Sequence, residues 1–90
     1  MGVTAKSLES KLRAGLAPTE LQVIDDSARH AGHAGAGAGG ESHFNITITS
    51  AAFTGLSRVQ RQRLVYRLLA IDLAGPVHAL SLTTRAPGEG

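Results

Sequence analysis

Four histidines carry most of the chemistry open to this 90-residue chain: His30, His33, His43 and His78. Neutral imidazole is a common ligand for zinc, copper and iron. Cysteine is absent, so a thiol nucleophile, a disulfide and a thiolate ligand are all excluded. Catalysis by a histidine needs a nucleophile or base with an orienting partner. His33 has neither nearby in sequence, and Ser27 and Ser42 sit in ordinary contexts. No enzyme site is expected. The ordinary alternative for each histidine is a strand-edge side chain that caps a backbone carbonyl. A third reading is mononuclear zinc or copper binding by the cluster.

Whether these imidazoles meet depends on the elements that carry them. Residues 4–14 read as a helix, with Leu8 and Leu12 one turn apart and Gly15 expected to end it. Residues 21–25 alternate as a short strand. Residues 27–41 form a Gly/Ala-rich linker, expected to be a flexible loop. His43-Phe44-Asn45-Ile46-Thr47-Ile48-Thr49 is the clearest strand, with Phe44, Ile46 and Ile48 on one face. Ser57 is expected to cap a long helix over residues 58–73. Leu64, Leu68 and Ile71 form its apolar stripe, widened by Val65 and Leu69. Gly75-Pro76 stops it. Residues 77–83 read as the last strand and residues 85–90 as a frayed tail.

The order predicts one α+β domain over residues 1–90. It is an α-β-β-α-β chain with a three-stranded mixed sheet and helices on one face. A strand-helix-strand crossover makes its two strands parallel if they are neighbours. His78 would then open the last strand beside His43, at the edge that also carries the loop with His30 and His33. Topology therefore gathers all four histidines at one end of the molecule.

Charge and length bound the partners. The formal charge is +2 and the rings are two Phe and one Tyr, few for a surface that stacks single-stranded nucleic acid. No stretch approaches the roughly 20 apolar residues of a membrane span, and the N-terminus lacks the apolar core of a secretory signal. A cytoplasmic monomer with no membrane association is the expectation.

Several segments resemble the BolA family: Val23-Ile24-Asp25-Asp26-Ser27, Gly32-His33, Glu41-Ser42-His43-Phe44, Phe53-Thr54-Gly55-Leu56-Ser57, Arg61-Gln62-Arg63-Leu64-Val65-Tyr66 and Leu73-Ala74-Gly75-Pro76-Val77-His78-Ala79-Leu80. The resemblance runs from Leu8 to Pro87. It implies a fold similar to the type II KH domain. It also implies a monothiol glutaredoxin as partner, with a [2Fe-2S] cluster shared between the two proteins and glutathione, and no cofactor in the isolated chain. On the family pattern His78 and His33 are the ligands, with His30 and His43 as alternates. Where some relatives carry Cys in the loop, this chain has His33. Where many read Arg-His-Arg on the long helix, this chain has Arg61-Gln62-Arg63. BolA-like proteins are also described as transcriptional regulators. In that alternative the helix-turn-helix-like region 53–67 would contact DNA phosphates through Arg58, Arg61, Arg63 and Arg67. The GXXG loop of true KH domains is missing, since Gly55-Leu56-Ser57-Arg58 keeps only its first glycine.

Overall fold

The computed structural model describes residues 3–25, 43–75 and 77–89. Helix α1 spans Val3–Leu16, strand β1 Glu20–Asp25 and strand β2 His43–Thr49. A single 3-10 turn at Ala51–Phe53 leads to helices α2, Arg58–Leu68, and α3, Ala70–Ala74. Strand β3 is Ala79–Arg85. The sheet order is β1-β2-β3, with β1 antiparallel and β3 parallel to β2. This is the mixed three-stranded sheet that the element order predicts.

The alternation of β2 decides which face is covered. Phe44, Ile46 and Ile48 are buried and join Leu8, Leu12 and Leu16 of α1 with Val65 and Leu69 of the second helical segment. Ala5 of α1 also belongs to it, and Phe53, Val77 and Ala86 complete the cluster from outside the α-helices and strands. Ser50, also buried, ties this layer together. Its hydroxyl donates to the Leu16 carbonyl at 2.6 Å and accepts from the Ala52 N–H at 3.1 Å.

Gly15 does not end α1. The helix passes through it to Leu16. A Cβ on Gly15 would lie 2.8 Å from both Leu68 methyls, so the glycine lets α2 approach α1 closely. The left-handed residue at the helix end is instead Ala17, with φ 44° and its N–H bonded to the Arg13 carbonyl at 3.2 Å. A side chain in that conformation costs roughly 1–2 kcal/mol.

The long helix is interrupted at Leu69, whose φ and ψ are −101° and 15°. Hydrogen bonds continue on both sides, from Leu69 N–H to Val65 and from Leu73 N–H to Leu69. Its start is as expected: Ser57 and Gln60 form a reciprocal capping box. Leu64 and Leu68 of the expected stripe pack partly buried against the core. Val65, Leu69 and Asp72 face inward, while Ile71 is 78% exposed. Hydrophobic periodicity places Ile71 inward because it scores Asp72 as an outside residue. The structure buries that aspartate by pairing it with α1. Lys11 Nζ lies 2.6 Å from Asp72 Oδ2, and the Ser7 hydroxyl donates to Oδ1 at 3.1 Å.

The last strand starts two residues later than expected. Val77 spends its N–H on the Asp72 carbonyl at 3.1 Å, as Gly75 does at 3.2 Å. It therefore belongs to the helix stop rather than to the ladder. The strand gains Thr84 and Arg85, which pair with Ile48 and Thr49. Residues 86–89, expected to fray, are docked: Ala86 is buried, and Glu89 binds back to α2 through Arg61. Among the described residues no helix is long and apolar enough to cross a membrane.

Candidate functional site

The parallel register of β2 and β3 places His43 opposite Ala79. His78 immediately precedes that partner, so two imidazoles from distant parts of the sequence meet where both strands begin. Their ring centroids are 6.5 Å apart, with the planes tilted by 52°. His43 is half-buried and His78 is exposed. Main-chain pairing holds His43. His78 is held between the helix stop at Val77 and the first ladder pair. His30 and His33 lie outside the described residues.

Both donors are imidazoles, and among the described residues no group of three or more His, Asp or Glu could hold a metal ion. Among the described residues the pair offers two imidazole ligands, fewer than the four of a closed structural zinc site.

The four arginines divide. Arg58, Arg63 and Arg67 are exposed along α2. Arg61 is withdrawn, with only 11% of its side chain exposed. Its Nε donates to the Leu56 carbonyl at 3.0 Å, and Nη1 to the Thr84 carbonyl at 3.4 Å. Its guanidinium also lies over the Phe53 ring, 5.9 Å from the centroid. Both terminal nitrogens grip Glu89, at 2.6 and 2.8 Å. Arg61 is thus a structural clamp and leaves the proposed phosphate-binding set. Sequence reasoning missed this because Glu89 is 28 residues away and lies in a segment that reads as tail.

Hydrogen bonds from Arg61, and secondarily from the Ala86 N–H, lower the Glu89 pKa from 4.5 to about 2. The same pairing raises the pKa of Arg61. A depressed acid pKa stabilises the docked form above the unfolded value and loses that contribution as pH falls through the folded one. Residues 86–89 are therefore expected to stay docked at pH 4.5 and to release as pH falls towards about 2. Amide shifts of Ala86 and Glu89 would report this; a transition centred at or above pH 4.5 would contradict the clamp.

Comparison with known proteins agrees with this architecture. The family model described as BolA-like protein matches residues 12–89. SufE-like protein 1, chloroplastic/mitochondrial, of Arabidopsis thaliana is 45% identical over 93 residues, covering 99% of this chain and 25% of the relative. The DNA-binding transcriptional regulator BolA of Escherichia coli (strain K12) is 44% identical over 77 residues, covering 86% of this chain and 70% of the relative. Among solved structures, the BolA domain of SufE1 from Arabidopsis thaliana superposes with a TM-score of 0.89 at 43% identity, covering 100% of this chain and 99% of that one. Besides the quarter of SufE-like protein 1, the chain spans 54% to 63% of the length of five further plant and mammalian relatives. By family match, identity and fold together, this chain belongs to the BolA-like protein family.

Proposed function

We propose that this chain is a binding protein that supplies imidazole ligands to a [2Fe-2S] cluster shared with a monothiol glutaredoxin and glutathione, in cluster trafficking or iron regulation. His78 and His33 are the proposed ligands, with His43 and His30 as alternates. The observation that carries the reading is the side-by-side placement of His78 and His43 at the start of the parallel strands, in a chain with no cysteine. Half a ligand set suits a cluster whose other ligands come from a partner. Imidazole in place of thiolate removes negative charge from such a cluster and raises its potential. Within this chain, β2 holds His43, the first ladder pair fixes His78 beside it, and the exposure of His78 leaves it open to a partner.

The test is a titration of cluster-loaded monothiol glutaredoxin with this protein. Visible absorption and circular dichroism are expected to change with the native chain and to stay unchanged with His78→Ala. Parallel titrations of His33→Ala and His43→Ala identify the second ligand. A native chain that leaves the cluster spectrum unaltered would overturn the proposal.

A second reading is a DNA-binding regulator. Two observations favour it: the exposed Arg58, Arg63 and Arg67, and the relative from Escherichia coli whose name describes that role. It ranks below the first because Arg61 is committed to Glu89 and the loop before α2 lacks the second glycine of a nucleotide clamp.

A further inference from the structure

Strand β3 lies at one side of the sheet, and among the described residues no strand pairs with its outer edge. The Arg85 carbonyl accepts from the Ser50 N–H, on the β2 side, at 2.9 Å. Thr84, one residue earlier, therefore turns its main-chain groups outward, and Leu82 and Leu80 follow in the same phase. Between this edge and the start of α2 lies a groove of about 430 Å³, lined by Leu56, Arg58, Arg61, Leu82, Thr83 and Thr84. Its lining includes two arginines and no acid.

The Arg61 fork at this groove has three supports besides Glu89. Leu56, Thr84 and the Phe53 ring hold its Nε, Nη1 and flat face. What this fork presents is a planar, bidentate seat for a carboxylate. Glu89 fills it from the turn that follows β3, with its own side chain 47% exposed. The pair is bidentate, so an incoming carboxylate must outcompete Glu89 for the seat. The seat is thus fixed, and its present occupant is the half of the pair that solvent reaches.

We propose that the outer edge of β3 and the Arg61 seat form a docking surface for an extended acidic segment of a partner protein, with Glu89 standing in for the partner's carboxylate. The segment would add to the sheet as a fourth strand, pairing with the outward main-chain groups of β3. One of its carboxylates would displace Glu89 from Arg61, and a second would face Arg58. A small free carboxylate is a poor competitor, because Glu89 is tethered at an effective concentration on the order of millimolar. Strand pairing supplies the additional affinity that displacement needs. The Arg61 seat lies at the opposite end of β3 from His78, and the proposal does not depend on the metal reading.

The experiment is an amide-shift titration with an acetylated, amidated nonapeptide that alternates threonine and glutamate. The native chain and Glu89→Ala are compared, with Glu89→Gln, which keeps a hydrogen-bonding acceptor for Ala86, as the second variant. A threonine–glutamine peptide and a nine-nucleotide single-stranded DNA are the control ligands. Shifts are expected at Leu80, Leu82 and Thr84, with binding at least fivefold tighter once Glu89 is replaced and at least fivefold weaker for the glutamine peptide. Equal affinity for the native and Glu89-substituted chains would overturn the proposal, as would equal binding of the neutral peptide. Tighter binding of the oligonucleotide at the same amides would make this a nucleic-acid surface instead.

Discussion

Phe53→Ala is expected to lower folding stability by about 4 kcal/mol, the usual range for truncating a fully buried aromatic ring being 3–5. The ring has no solvent exposure and sits in the 3-10 turn between β2 and α2. It belongs to the same buried cluster as Ile48, Val65 and Leu69, and its outer face supports Arg61. Truncation would leave a cavity and loosen the clamp that docks residues 86–89. Domains of this size are stable by roughly 5–15 kcal/mol in all, so the variant should be near the limit of folding at physiological temperature. Urea denaturation followed by circular dichroism measures the loss directly, and an unchanged slope would assign it to the native state. A loss below about 2 kcal/mol, well under the range expected for a packed ring, would mean that the corner collapses around the gap.

Lys11→Met should cost about 2–3 kcal/mol at neutral pH. Removing one partner of a buried pair typically costs 3–5 kcal/mol because a charge is stranded. The figure is reduced here because a third of the Lys11 side chain remains exposed, so water already shares in solvating it. Asp72, only 8% exposed, would keep the Ser7 hydroxyl alone. Replacing both members, Lys11→Met with Asp72→Leu, should recover most of the loss, since a packed apolar pair avoids burying any charge. The double-mutant cycle isolates the coupling. A double variant less stable than Lys11→Met would show that the clamp holds α1 by direction as well as by burial.

These residues also show which parts of the fold are local and which are not. Strand β2 was legible because alternation over Phe44, Ile46 and Ile48 is a property of its own segment. The parallel pairing with β3 followed from a helix between two strands, and with it the meeting of His43 and His78. The capping of α2 by Ser57 was equally local. Ile71 reads as inward in place of Asp72 because that aspartate is neutralised from 61 positions away. The hint was present in Ser7 and Lys11, one turn apart on a single helix face, but only tertiary packing reveals that they share a target. Gly15 reads as a stop because its partner, Leu68, lies on another helix. The docked residues 86–89 escaped notice for the same reason, since nothing next to Glu89 in sequence suggests a cation.

The register between β2 and β3 has one more consequence. The distance between His43 and His78 is set by two strands and the helices joining them, all downstream of the Gly/Ala-rich segment at residues 27–41. That segment joins β1 to β2, and its length does not enter the His43–His78 geometry. Lengthening a connection costs little, about 0.6 kcal/mol for each doubling of a flexible loop. Insertions or deletions between residues 27 and 41 are thus expected to leave the His43–His78 spacing unchanged.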